Sequence, residues 1–130
     1  MVTYDFTDLP MAQTIIPEET RVVSETGGAK GQKECELGDI DPKALWELGR
    51  IAGFGARKYT SDTEDGRFNY MKGYNYTSSY NALQRHAMQF WMGEDIDEES
   101  NCYHLACVAW HALCLLTFRL RKLGTDDRPK

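Results

Sequence analysis

The sequence predicts an all-α fold, an antiparallel helical bundle built on a helix hairpin and preceded by an irregular N-terminal arm. Apolar residues recur at three- and four-residue steps in several segments after residue 40, which is typical of helices with one buried face. The first of these segments opens with Asp41-Pro42, and the last ends in basic residues followed by Gly124. A chain of 130 residues has the length of one domain. Within it we distinguish an arm, residues 1–40, from a helical domain, residues 41–130.

The arm is predicted from the absence of a helical period and from its glycines. Four of them stand close together, at positions 27, 28, 31 and 38. We expect one short strand, at residues 20–24.

The first helix is predicted to begin at Asp41 and Pro42. The Asp41 carboxylate can accept the free N–H groups of the first turn, and Pro42 fits the first helical position. Its buried face is predicted to contain the recurring apolar positions Leu45, Leu48, Ala52, Ala56 and Tyr59. A long polar loop, residues 60–77, should follow, and loops of this length are often functional.

The other two helices are predicted at about residues 79–92 and 99–123, joined by the acidic turn at residues 93–97. Asp97 and Ser100 can cap the third helix, which ends in basic residues that suit a helix C-terminus. Inward positions on the second helix are predicted at Tyr80, Leu83, Ala87, Phe90 and Trp91, and on the third at Leu105, Ala109, Ala112 and Leu116. Because three helices alone leave much apolar surface exposed, we expect a homo-oligomer, a dimer or tetramer.

Charge and hydropathy exclude several classes of function. The chain has 15 basic and 20 acidic residues, a net charge of −5, which disfavours nonspecific nucleic-acid binding. No run of apolar residues is long enough to span a membrane, and the N-terminus does not resemble a secretory signal. The four cysteines contain no CxxC pair, so we expect reduced thiols in a cytoplasmic protein.

A group of metal-binding residue types lies on the second and third helices. His104, Cys107, His111 and Cys114 share one face of the third helix, and His86 and Glu94 share a stripe of the second. If the two helices pair antiparallel, His86 and Glu94 bracket the level of His104. Imidazole and carboxylate together suit Mn²⁺, Zn²⁺ or similar ions. The alternative is a structural His/Cys seam beside a solvated acidic turn.

A second group combines basic side chains with aromatic rings. It comprises Arg57-Lys58-Tyr59, Asn69-Tyr70-Met71-Lys72 and Arg85. Basic groups suit phosphate oxygens, and aromatic rings suit stacking on a base. Lys58 alone is equally explained as compensation of a helix dipole.

The order of these segments resembles the phage dATP/dGTP diphosphohydrolases, relatives of the MazG-like nucleotide pyrophosphohydrolases. The segments that carry the resemblance are residues 28–30, 44–48, 55–59, 69–73, 82–86, 93–97, 99–100, 104–106 and 124–129. Each is short, but their joint order is more specific. Two departures concern the ligand set and the loop: His104 and Cys107 stand where MazG-like enzymes have an ExxD pair, and residues 61–68 look like an insertion.

The resemblance implies an all-α, metal-dependent hydrolase that converts dGTP, and also dATP, to the monophosphate and pyrophosphate. Such an enzyme supplies dGMP to phages whose DNA carries 2-aminoadenine. Glu94, Asp95, His86, His104 and Glu47 would bind Mn²⁺ or Mg²⁺, with Glu94, His86 and His104 as catalytic residues. Lys30, Lys58, Lys72 and Arg85 would bind phosphate, and Tyr70 or Trp91 would stack on the base. Two other functions remain open: a non-catalytic helical phage adaptor, or a metal-dependent phosphatase acting on another phosphorylated substrate.

Overall fold

The computed structural model describes residues 20–130, which form two compact units, a β-hairpin unit up to Asp41 and a helical unit from Pro42. In the first unit, β1 (Thr20–Val23) pairs antiparallel with β2 (Ala29–Gln32). The chain reverses at Gly27, whose φ of 89° is accessible to glycine at low cost. The fold is therefore mostly helical but not all-α. The strand predicted at residues 20–24 is confirmed. Its partner β2 was not predicted, because the residues Ala29–Gln32 show no alternation of apolar and polar side chains.

Three helices make up most of the second unit: α1 (Pro42–Lys58), α2 (Tyr76–Trp91) and α3 (His104–Arg121). Short 3-10 helices occur at Leu37–Asp39 in the first unit and at Asn69–Lys72 in the long loop. The predicted start of α3 was too early. Asp97 accepts hydrogen bonds from the backbone N–H and Oγ of Ser100, so the two residues close a separate turn instead of capping the helix.

The contacts between α2 and α3 show that the two helices run antiparallel. Ser79, early in α2, contacts His111, whereas His86, later in α2, contacts His104 at the start of α3. Helix α1 packs on α3 through Ile51, which forms a core with Cys102, Ala106 and Cys107.

The buried face of α3 is the His/Cys stripe rather than the predicted leucine and alanine face. His104, Cys107, Cys114 and Phe118 are buried. The positions predicted as core, Leu105, Ala109, Ala112 and Leu116, are all exposed in the single chain. Periodicity alone could not choose between the faces, because α3 is apolar nearly all round.

The predicted inward positions of α1 and α2 were partly wrong. Leu48, Ala52 and Ala56 are half-buried, as are Leu83 and Ala87, but five larger side chains are exposed, namely Leu45, Tyr59, Tyr80, Phe90 and Trp91. The side chains of α2 that are buried include Ser79 and His86, which contact α3. Polar partners on α3 therefore decided which face of α2 is covered.

The C-terminal segment fixes the start of α2. Thr125 exchanges backbone hydrogen bonds with Tyr74 and Tyr76, and the Asp127 carboxylate accepts the Thr77 N–H at 3.0 Å. Asp127 thus caps α2 from 50 positions away in the sequence. Across residues 20–130, none of the helices has the length and apolar character needed to cross a membrane.

Candidate functional site

A cavity of 740 Å³ opens in the helical unit, a size typical of small-molecule sites. Its walls come from the second half of α1, the long loop, the first half of α2 and the segment 97–111. Gly66 closes one side. A Cβ at this position would lie 2.0 Å from the Ala56 carbonyl oxygen, so only glycine lets the loop pack against the end of α1.

Two imidazoles and a carboxylate meet beside this cavity. His86, Asp97 and His104 each offer one potential metal-ligand atom, and these three atoms lie within 4.8 Å of one another. The two Nδ1 atoms of the histidines are 2.8 Å apart. His86 and Asp97 line the cavity, and His104 stands behind them, 0 % exposed.

The Asp97 carboxylate is held in place by Ser100. Its Oδ2 accepts the Ser100 N–H at 3.0 Å and the Ser100 Oγ–H at 2.6 Å. Burial acts to raise the pKa of Asp97, but these hydrogen bonds and the nearby His86 and His104 outweigh it, so the pKa lies below its usual value. Asp97 is thus a fixed anion at neutral pH.

The two imidazoles share one proton. With their Nδ1 atoms 2.8 Å apart, one ring donates and the other accepts, so at least one of the two rings is neutral. Burial lowers the pKa of His86, which favours the neutral form of that ring.

This donor set fits a divalent cation. Imidazole nitrogens and a carboxylate are common ligands of Mn²⁺ and similar ions, and a cation here would displace a proton from any ring nitrogen that binds it. Among residues 20–130, His104 Nε2 is buried without a hydrogen-bond partner, since 3.6 Å to Glu94 is too long. Such an orphaned atom marks a site whose polar groups the chain alone does not satisfy.

The other predicted ligands lie apart from this cluster. The Asp95 side chain is exposed, and the residue reaches His104 only through its carbonyl oxygen, which accepts the backbone N–H at 2.8 Å. Glu47 pairs with Arg50 at 2.9 Å and does not line the cavity.

The four predicted phosphate-binding residues lie in different places. Arg85 lines the cavity and has no hydrogen-bond or ion-pair partner among residues 20–130. Lys58 also lines it, but donates to Glu99 at 2.8 Å, which raises the pKa of the lysine. Lys72 lies outside the cavity and faces Glu64 at 3.4 Å. Lys30 is on β2 and is not part of the helical unit.

Aromatic rings form much of the cavity wall. Tyr70 contacts Trp110 edge to face, with ring centroids 4.9 Å apart, and Phe54 also lines the wall. Trp91, the other predicted stacking residue, is 86 % exposed and lies outside the cavity.

A hydrogen-bonded row of Tyr74, Ser79 and His111 also lines the cavity, and the His111 ring stacks on that of His86 with centroids 6.1 Å apart. Ser79 Oγ lies 2.5 Å from the Tyr74 hydroxyl and 3.0 Å from His111 Nδ1. Burial lowers the pKa of His111 to about 4 and raises that of Tyr74 to about 12, so both side chains are neutral at pH 7.

The thiols of α3 are buried in the helix packing. Burial raises the pKa of both Cys107 and Cys114 to about 11, which keeps them protonated at neutral pH. All four cysteines are free. Of the stripe on α3, Cys107 and His111 line the cavity, whereas His104 and Cys114 do not.

Sequence reasoning missed Asp97 and Trp110 as site residues. Asp97 was assigned to a helix cap, and its Asp-x-x-Ser spacing does describe the turn that now orients the carboxylate. The available signal that Trp110 belongs to the site was its position directly before His111. The Tyr74–Ser79 pair carried no signal, because it depends on how the loop packs against α2.

A model of the family described as dATP/dGTP diphosphohydrolase, N-terminal, matches residues 24–128. No curated protein and no solved structure matches the chain. The match includes both the acidic segment and the histidines of the site.

Proposed function

The chain belongs to the dATP/dGTP diphosphohydrolase family, and from this we propose that it hydrolyses a purine deoxynucleoside triphosphate to the monophosphate and pyrophosphate. Water attacks the α-phosphorus, the bond to the bridging oxygen breaks, and pyrophosphate leaves. The dGMP formed from dGTP would serve phage 2-aminoadenine nucleotide synthesis, and dATP would be a second substrate.

One observation carries the proposal: a single cavity brings together cation ligands, an arginine without a partner among residues 20–130, and an aromatic wall. Asp97 and His86 supply the ligands, Arg85 the positive charge, and Trp110 with Tyr70 the wall. A nucleoside triphosphate presents the matching chemistry, namely phosphates that need positive charge and a flat base that needs apolar contact.

The basic groups would hold the phosphates in two ways. Arg85 can bind phosphate oxygens without breaking a hydrogen bond or ion pair to any residue between 20 and 130. Lys58 must exchange Glu99 for phosphate, which costs little because the ion pair is exposed. The two groups lie on α1 and α2, so they can hold the phosphate chain from two sides.

The cation would be Mn²⁺ or Mg²⁺, held by Asp97, His86 and His104. When bound, it neutralises phosphate charge and lowers the pKa of an attached water. Glu94 lies half-exposed 3.6 Å from His104 Nε2 and does not line the cavity, so we assign it no contact with the attacking water.

We further propose a homo-oligomer in which α3 of one copy packs on α3 of another. Leu105 is 51 % exposed and Leu116 is 58 % exposed, and Ala109 and Ala112 lie between them on the same uncovered face. The intervals between these four residues are the same whether the helix is followed from its N-terminus or from its C-terminus. An antiparallel pair about a two-fold axis therefore brings leucines against leucines and the small alanines against each other.

Product chromatography with a panel of dNTPs and Mn²⁺ or Mg²⁺ tests the reaction. Pyrophosphate and dGMP from dGTP are expected. Release of single phosphates from many substrates would instead indicate a general phosphatase. Absence of any turnover would favour the non-catalytic adaptor.

A further inference from the structure

Ser79 occupies a buried position between two polar side chains of the cavity. It is 0 % exposed, and its Oγ lies 2.5 Å from the Tyr74 hydroxyl and 3.0 Å from His111 Nδ1. A serine hydroxyl has one proton to donate, so Ser79 can donate to Tyr74 or to His111 but not to both. Either Tyr74 donates to Ser79 and Ser79 to His111, or the reverse.

The chemistry of the three groups favours the first direction. A phenol is more acidic than an aliphatic hydroxyl and is the better donor, whereas an imidazole nitrogen is a better acceptor than a phenol oxygen. Tyr74 therefore donates to Ser79, and Ser79 donates to His111 Nδ1. The proton of the neutral ring is then on Nε2.

The Nε2–H of His111 is free to meet a ligand. His111 lines the cavity, its Nδ1 is occupied by Ser79, and no hydrogen bond to Nε2 occurs within residues 20–130. Trp110, its neighbour on α3, is part of the aromatic wall. The cavity thus has a hydrogen-bond donor of fixed orientation next to a surface suited to a flat ring.

We propose that His111 reads the base of the substrate by donating Nε2–H to N7 of a purine, with Ser79 and Tyr74 as positioning residues. This inference rests on the proposed function and extends it to base selection. Guanine and adenine both carry an N7 acceptor, whereas neither pyrimidine has this atom. One donor would therefore accept both purines, in keeping with a dual dATP/dGTP specificity.

The alternative acceptor, a phosphate oxygen, fits less well. Arg85 lines the same cavity and has no partner among residues 20–130, and a guanidinium satisfies a phosphate better than a neutral imidazole does.

The test compares dGTP with 7-deaza-dGTP, in which carbon replaces N7. With the unaltered protein, the analogue should lower kcat/KM about tenfold, the effect of one lost hydrogen bond that leaves its donor unpaired. In Ser79→Ala and Tyr74→Phe the same replacement should cost less, because the imidazole is no longer held in one tautomer. Ser78→Ala is the matched control: it removes a neighbouring hydroxyl that also lines the cavity but lies outside the row, so the ratio of kcat/KM between the two nucleotides should stay as in the unaltered protein.

Each outcome decides the point. Equal kcat/KM for the two nucleotides in the unaltered protein overturns the inference while leaving the proposed hydrolysis intact. If no nucleotide is hydrolysed, the proposed function fails, and calorimetric binding of dGTP and 7-deaza-dGTP still decides the role of His111. Independently, ¹⁵N NMR of labelled histidine should show His111 protonated at Nε2, and protonation at Nδ1 would refute the direction of the row.

Discussion

Replacing Asp97 by Asn separates a metal ligand from a turn residue. The substitution keeps an oxygen that can accept both hydrogen bonds from Ser100, so the turn should survive. Exchanging two charge-assisted bonds for neutral ones should lower the free energy of unfolding by about 1–3 kcal/mol. Loss of the carboxylate from the donor set should lower turnover of dGTP by ~100-fold or more, which corresponds to ~2.7 kcal/mol in the barrier.

The matched control is Asp95→Asn, the same change of charge two positions away. The Asp95 side chain is exposed and outside the cavity, so turnover should change less than about threefold. Thermal unfolding, dGTP turnover and Mn²⁺ affinity by electron paramagnetic resonance are measured on each variant. If Asp97→Asn is destabilised but keeps its turnover and Mn²⁺ affinity, Asp97 is a turn residue only. If Asp95→Asn loses activity instead, the cation lies nearer the acidic turn than this geometry indicates.

Four further predictions follow from the same structure. Arg85→Ala should lower kcat/KM for dGTP by roughly 10–100-fold with little loss of stability, while Lys72→Ala, outside the cavity, should leave it nearly unchanged; equal effects would remove Arg85 from the phosphate site. Chelation by EDTA should abolish turnover and Mn²⁺ or Mg²⁺ restore it, and full activity in EDTA would exclude a metal mechanism. Because burial lowers the pKa of His111 to about 4, the unfolded chain takes up a proton first, so in metal-free buffer stability should fall as pH drops from about 6.5 to about 4. The free energy of unfolding should change by at most about 1.4 kcal/mol per pH unit, and by less where solvent screens the ring. In His111→Phe this pH dependence should be smaller. Leu116→Glu should shift the mass measured by light scattering from oligomer to monomer, and a monomer before substitution would refute the α3 interface.

The helices were predictable because their signals are local. Pro42 at the first position of α1 and the basic residues at its end act within one or two turns. The predicted start of α3 was too early because Asp97 and Ser100 hydrogen-bond to each other in a separate turn. Whether this turn forms depends on the conformation of the residues between them. The capping of α2 by Asp127 was beyond any local pattern, since the two residues meet only after the C-terminal segment returns.

The sequence predicted which types of residue form the candidate site, but not which individual residues lie in it. His86, His104 and Glu94 were expected to approach one another, and the structure places them within hydrogen-bonding or near-contact range. Asp95 and Asp97 could not be ranked, because both are acidic residues of one irregular segment, where no helical period says which side chain turns inward.

By itself, the sequence determined that the chain forms three helices and belongs with the dATP/dGTP diphosphohydrolases, because periodicity, caps and the order of short segments are properties of the linear chain. Tertiary structure alone decided which face of α3 is buried. That helix is apolar on both sides, so the choice of face depended on the partners that α2 supplies: Ser79 for His111, and His86 for His104. Buried polar groups require partners, and partners from a distant segment exist only once the helices have packed.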